Sequence, residues 1–154
     1  MTDERFAEAA RAWMDTVFRV AYNFTGSRED ADDVTQDVLL QLYRSEADFE
    51  SEAHLKHWLI RVTLNRCKSL FRARRAQEPL EAYAETLGFE REDHTALFTA
   101  VMSLERKYRL PLYLYYYEGY KVREIAALLK LPANTVSTRL ARARAKLRNE
   151  LTEE

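Results

Sequence analysis

Glycine and proline are scarce, three of each in 154 residues, so the closely spaced turns of a β-sandwich or barrel have little to be built from. A single cysteine, Cys67, excludes an internal disulfide and reads as a packing residue. With only His54, His57 and His94 beside it, no clustered ligand set for a structural zinc is present. No apolar run is long enough for a signal peptide or a membrane span, because the start leads straight into Thr2, Asp3, Glu4 and Arg5. The expectation is an all-α cytoplasmic protein, without metal or cofactor, built as one domain or two small ones. A strong charge imbalance is missing too: 24 lysines and arginines against 25 aspartates and glutamates give a net −1. Taken whole, that figure speaks against a nucleic-acid binder.

What is present is helical periodicity. Phe6, Ala10, Trp13, Val17, Ala21 and Phe24 recur at spacings of three and four and draw one apolar stripe, with Gly26 as its stop. Ser27 then precedes Arg28, Glu29 and Asp30, so its hydroxyl can cap a second helix while Asp30 reaches back in a capping box. In that helix Ala31, Val34, Val38 and Leu42 form the buried stripe and leave Asp32, Asp33, Gln36 and Asp37 on a polar face. A third helix is predicted from residue 52 to about 75, with Leu55, Trp58, Leu59 and Val62 inward. Its other side carries Arg61, Asn65, Lys68, Arg72 and Arg75 at spacings of four and three, a basic ridge with an amide in it.

From residue 77 to 95 the period is lost amid Pro79, Gly88 and several glutamates, which predicts a linker between domains at residues 1–76 and 96–154. Ala96, Leu97, Ala100, Val101 and Leu104 then mark a fourth helix. A fifth spans about residues 106–118, with Pro111 inside and Gly119 as its stop. Tyr108, Tyr113, Tyr115, Tyr116 and Tyr117 are too dense for one buried face, so at least one hydroxyl must meet solvent or a partner. Val122, Ile125, Ala126 and Leu129 define a short helix. Lys130, Leu131 and Pro132 form a tight turn, and Val136, Leu140, Ala143, Leu147 and Leu151 define a closing helix. Two helices so joined, the second carrying Arg139, Arg142, Arg144, Lys146 and Arg148, describe a helix-turn-helix able to enter a major groove.

Counted by segment, the apparent neutrality dissolves. Residues 1–52 carry 5 basic and 13 acidic side chains, residues 53–76 carry 7 and none, residues 77–105 carry 1 and 7, and residues 106–148 carry 11 and 2. Two cationic helices separated by an acidic linker suit a protein that touches nucleic acid at two places and something basic elsewhere.

The residues Thr25-Gly26-Ser27-Arg28-Glu29-Asp30-Ala31-Asp32-Asp33-Val34-Thr35-Gln36-Asp37-Val38, followed by Trp58, Leu59 and Asn65, resemble region 2 of bacterial extracytoplasmic-function sigma factors. Residues 104–108, Tyr116-Tyr117-Glu118-Gly119-Tyr120, Glu124-Ile125-Ala126, Asn134-Thr135-Val136 and Arg142-Ala143-Arg144 resemble region 4 of the same family. The resemblance implies a dissociable subunit, without catalysis of its own, that binds core RNA polymerase through the β′ coiled coil and the β flap and reads the −10 and −35 promoter elements. It places Asp33, Gln36 and Asp37 on the β′ coiled coil, where a basic partner surface would want carboxylates. Arg61, Asn65, Lys68 and Arg72 fall at the −10 element, and the loop carrying Phe49, Glu50 and Ser51 falls where the family receives a flipped base. Asn134, Thr135, Ser137, Thr138, Ala141 and Arg142 fall on the −35 reading face. An anti-sigma protein is a further partner that the family suggests.

Three positions depart from the family pattern. Glu50 and Ser51 follow Phe49 where arginine and glycine are common, and Ser137 replaces a frequent lysine or arginine. Lys130 stands where such turns often place glycine, at a cost of roughly 1 kcal/mol if the residue is left-handed. The competing expectation is a stand-alone helix-turn-helix regulator of an operator, which leaves the Asn65 ridge and the acidic face unexplained. An enzymatic reading would make Asp30, Asp33 and Asp37 ligands of a magnesium-dependent nuclease.

Overall fold

The computed structural model describes residues 1–75 and 96–152, and every regular element among them is an α-helix. The predicted linker, residues 77–95, lies outside the described residues, as does the side chain of Arg75. The described helices fall into two compact units.

The first unit packs α1 (Asp3–Thr25), α2 (Arg28–Arg44) and α3 (Glu52–Arg75) against one another. Thr2 caps α1 by accepting from the Arg5 amide, and Gly26 closes it in the left-handed region at φ 68°, a conformation that costs glycine nothing. Ser27 caps α2 as the sequence predicts, accepting from the Asp30 amide. The Asp30 carboxylate does not complete a capping box. It turns instead toward α3, where Arg74 grips both of its oxygens.

The core consists of Val17, Val20, Ala21 and Phe24 of α1, Ala31, Val34, Val38 and Leu42 of α2, and Leu55, Leu59, Ile60, Leu64, Cys67 and Phe71 of α3, all buried. Each large aliphatic side chain so enclosed contributes about 1.5–3 kcal/mol. Thr35 and Thr63 are buried beside them, and each hydroxyl donates to the carbonyl four residues back, Ala31 and Leu59, which satisfies the oxygen without a partner helix. Trp58 and Val62, predicted inward, are only half-buried: they flank the stripe rather than lie on it.

The second unit contains α4 (Ala96–Ser103), α5 (Arg106–Tyr116), α6 (Val122–Leu129) and α7 (Ala133–Thr152). Its core is Met102, Leu104, Leu110, Leu112, Leu114, Ile125, Leu128, Val136, Leu140 and Ala143. Arg109 is also buried, and its guanidinium donates to the Met102 and Leu104 carbonyls, stapling the α4–α5 turn from inside. Leu97 and Leu151, both placed on apolar stripes by the periodicity, are exposed, as end turns that extend past the unit's core. Pro111 sits buried beyond the first turn of α5, where it cannot donate to the Lys107 carbonyl. The helix ends at Tyr116, earlier than the sequence suggests, and Gly119 turns the chain at φ 76°.

Candidate nucleic-acid and polymerase interfaces

On α2 the four polar residues expected to dock divide. Asp32, Asp33 and Gln36 are exposed, whereas Asp37 is half-buried and accepts from Nε of Arg66 on α3 at 2.7 Å. This pair and Asp30–Arg74 form two rungs between antiparallel α2 and α3. The rungs differ in environment: the Asp30 side chain is 8% exposed, the Asp37 side chain 43%. Opening the enclosed rung leaves a desolvated charge and costs about 3 kcal/mol, while the open rung is worth about 1 kcal/mol or less. Sequence reasoning missed both arginines because it sorted α3 by a single polar face. The usable signal was the seven-residue step from Asp30 to Asp37 set against the eight-residue step from Arg66 to Arg74. With Asp30 and Asp37 each held by an arginine, the nuclease reading loses its ligands, and among the described residues no three His, Cys, Asp or Glu side chains gather as a metal site. Farther along α2, Leu40 and Tyr43 are exposed at helical spacing from Gln36, adding apolar surface to the acidic face.

On α3, Arg61, Asn65 and Arg72 are exposed and Lys68 is half-buried, so these four members of the predicted ridge share one helix face. Just before the helix, the loop is held at several points. Ser51 accepts from the His54 amide as the helix cap, and the Glu50 amide donates to Nδ1 of His54. The half-buried Phe49 ring meets His54 and Trp58 edge to face at 5.4 and 5.5 Å. Glu52 accepts from the Trp13 indole at 3.0 Å and from Arg5 at 3.1 Å, and these two bonds hold its carboxyl below its ordinary pKa. Phe49 is therefore a packed residue at the rim of the ridge, with Glu50 and Ser51 exposed beside it. Trp58 stands one helical turn from Arg61 and joins the ridge to this loop.

In the second unit, α6 and α7 form the predicted helix-turn-helix. Lys130 closes α6 in the left-handed region at φ 57°, the one non-glycine residue with positive φ among those described. A cleft of about 370 Å³ opens between α5 and α7, lined by Lys107, Tyr108, Asn134, Thr135, Thr138, Arg139 and Arg142. Four of the predicted −35 residues meet there, while Ser137 and Ala141 are exposed on neighbouring turns of α7. The sequence places none of Lys107, Tyr108 and Arg139 on the reading face, although Tyr108 stands among the dense tyrosines and Arg139 among the cations of α7. Lys107 and Tyr108 belong to α5, and only folding brings them beside α7. The Tyr108 ring has Lys107 Nζ at 5.1 Å and Lys146 Nζ at 5.3 Å from its centroid, which gathers cations at the cleft's edge.

Arg144, which sequence alone could pair with Glu118 or Glu124, instead donates to the Tyr116 hydroxyl at 2.9 Å. Glu118 accepts from Tyr113, and Glu124 from the Lys121 amide. Tyr115, Tyr116 and Tyr117 are exposed, in keeping with the expectation that at least one of the dense tyrosines reaches the surface. Tyr120 is half-buried, and burial, followed by the nearby Glu118 and Glu124 carboxylates, pushes its pKa up to about 12.

Among the described residues no helix is long and apolar enough to cross a membrane. The sigma-70 region 2 model matches residues 9–77, and the sigma-70 region 4 model matches residues 94–147. The chain is 32% identical over 133 residues to the ECF RNA polymerase sigma factor SigM of Mycobacterium tuberculosis, an alignment covering 84% of this chain and 68% of that protein. It is 26% identical over 169 residues to the ECF RNA polymerase sigma factor SigW of Bacillus subtilis, covering 96% and 89% of the two chains. Its fold is similar to that of the sigma factor RpoE of Bartonella quintana, solved with the anti-sigma factor NepR, at a TM-score of 0.76 and 20% identity over 97% and 98% of the chains. It is also similar to CnrH, solved with the cytosolic domain of CnrY, at a TM-score of 0.67 and 26% identity over 99% and 91%. Three helices with an acidic face and a basic ridge, followed by a helix-turn-helix unit, match both sigma-70 regions in order, and the chain belongs to the ECF RNA polymerase sigma factors.

Proposed function

We propose that this sigma factor docks on core polymerase through the α2 face of Asp33, Gln36 and Asp37, reads the −10 element with α3 and reads the −35 element with α7. The observation that carries the reading is the placement of exposed Asn65 among Arg61, Lys68 and Arg72 on one face, since an amide between cations combines base recognition with phosphate attraction. In the second unit Arg142, Asn134, Thr135 and Thr138 offer base-edge donors and acceptors, while Lys107 and Arg139 meet the backbone phosphates that fix register. The acidic α2 face suits the basic β′ coiled coil, and the exposed tyrosines of α5 supply an aromatic surface for the β flap. Phe49, Glu50 and Ser51 form the rim over which a non-template base is received. Polymerase supplies all the chemistry, and the sigma factor supplies position. An anti-sigma protein is a further partner, covering the same docking surfaces; CnrH, a relative by fold, was itself solved with a protein partner.

Reconstitution with core polymerase tests this reading. Promoter-dependent transcripts appear only when the chain is added, and replacing Asp33 and Gln36 together with alanine weakens core binding without altering how the full chain binds a −35 duplex. Unchanged affinity for core would place docking elsewhere.

A further inference from the structure

Resting on that reading of α2 and α3, we infer that the Asp37–Arg66 pair is exchangeable: docking of a basic surface on Asp37 releases Arg66 to contact a promoter phosphate beside Asn65. Three observations combine. Asp37 belongs to the docking face, yet it is the one member of that face already bound to a cation of its own chain, Arg66 at 2.7 Å. Both side chains of the pair are roughly two-fifths exposed, so a partner can approach the carboxylate and water can solvate the guanidinium when it leaves. Arg66 directly follows Asn65 on the reading helix, and its long arm can swing from the α2 side toward the ridge once Asp37 is occupied. The other rung stays shut, because Asp30 is nearly enclosed and Arg74 holds both its oxygens; α2 and α3 therefore remain joined while the outer pair changes partners.

A phosphate contact that exists only in the docked state makes −10 affinity depend on polymerase without any helix moving. The same exchange works in reverse. A promoter phosphate that draws Arg66 away leaves Asp37 free for the β′ surface, so DNA and polymerase favour each other's binding by the same factor.

The test measures binding of a non-template −10 oligonucleotide to the full chain, alone and in holoenzyme. Arg66→Gln is expected to weaken holoenzyme binding about fivefold and reduce the slope of log affinity against log salt by about 0.7, one phosphate contact on single-stranded DNA. Arg66→Lys restores most of both. In the free chain, Asp37→Asn releases Arg66 without polymerase and tightens oligonucleotide binding about fivefold, whereas Asp33→Asn, the same charge change on the same face, tightens it less than twofold. Equal effects of the two asparagine variants, or an unchanged salt slope in Arg66→Gln holoenzyme, would overturn the inference. If wild-type holoenzyme itself fails to bind the oligonucleotide, the assignment of α3 to the −10 element falls, and this inference falls with it.

Discussion

The two units of this chain hold their candidate nucleic-acid-binding cations in different ways. In the second, Lys107, Arg139 and Arg142 line an open cleft; Glu105 stands 3.8 Å from Lys107 as a solvent-exposed pair, while Glu124 accepts from the Lys121 amide and Glu118 from the Tyr113 hydroxyl. In the first, two cations of the reading helix are held by carboxylates of the helix beside it, and the acid and base sit on neighbouring helices. On the proposed reading the cleft's cations meet phosphate directly, because the exposed Lys107–Glu105 pair yields at little cost. On the same reading Arg66, tied to Asp37 of the docking face, binds phosphate on condition. On the proposed reading, the difference lets a chain of net charge −1 contact DNA at two places and still depend on a partner to do so.

Changes confined to one unit can be followed separately, because both tryptophans, Trp13 and Trp58, belong to the first. Tryptophan fluorescence therefore follows that unit alone. Arg74→Gln leaves the enclosed Asp30 charge without its partner and is expected to destabilise the first unit by about 3 kcal/mol, seen as a lower midpoint in fluorescence-monitored denaturation. Tyrosine signals from the second unit should hold. A loss below about 0.5 kcal/mol would mean that the rung is as dispensable as a surface pair.

Lys130→Gly addresses the other unit. Relief of the left-handed strain is expected to stabilise the second unit by about 1 kcal/mol, raising the midpoint of its far-ultraviolet transition and leaving tryptophan fluorescence unmoved. Destabilisation would show that the Lys130 side chain contributes more than its backbone costs.

The smallest effect is a pH dependence in the first unit. The Glu52 carboxyl is held below its ordinary value of 4.5 by Trp13 and Arg5, so its contribution is complete above that value and is lost as pH falls through the lowered one. Glu52→Gln should flatten this acid limb slightly. In the second unit Tyr120, raised to about 12, acts in the opposite direction: its share is complete below pH 10 and is lost as pH rises from there through 12.

Much of the fold was legible because apolar spacing and caps act locally. Gly26, Ser27 and the Ala31, Val34, Val38 and Leu42 stripe stand where the pattern puts them, and α3 spans the predicted residues. The candidate ridge was legible as a surface because one helix carries it, with Arg61, Asn65 and Arg72 all exposed. Side chains that pair across helices were not legible. Asp30 read as a capping-box residue because its nearest neighbours in sequence are on α2, while its partner Arg74 lies 44 residues away. Lys107 and Tyr108 escaped for the same reason, since only packing of α5 on α7 brings them to the cleft. Leu97 and Leu151 misled in the other direction: periodicity continues to the helix ends, but the core does not.

The most direct test of the account is transcription by reconstituted holoenzyme on a matrix of promoters varied separately at the −10 and −35 elements. Asn65→Ala is expected to lose about 1–3 kcal/mol of discrimination at particular −10 bases and none at −35, and Arg142→Ala the reverse. Equal losses across every promoter for either variant would contradict the assignment of α3 and α7 as the two reading helices.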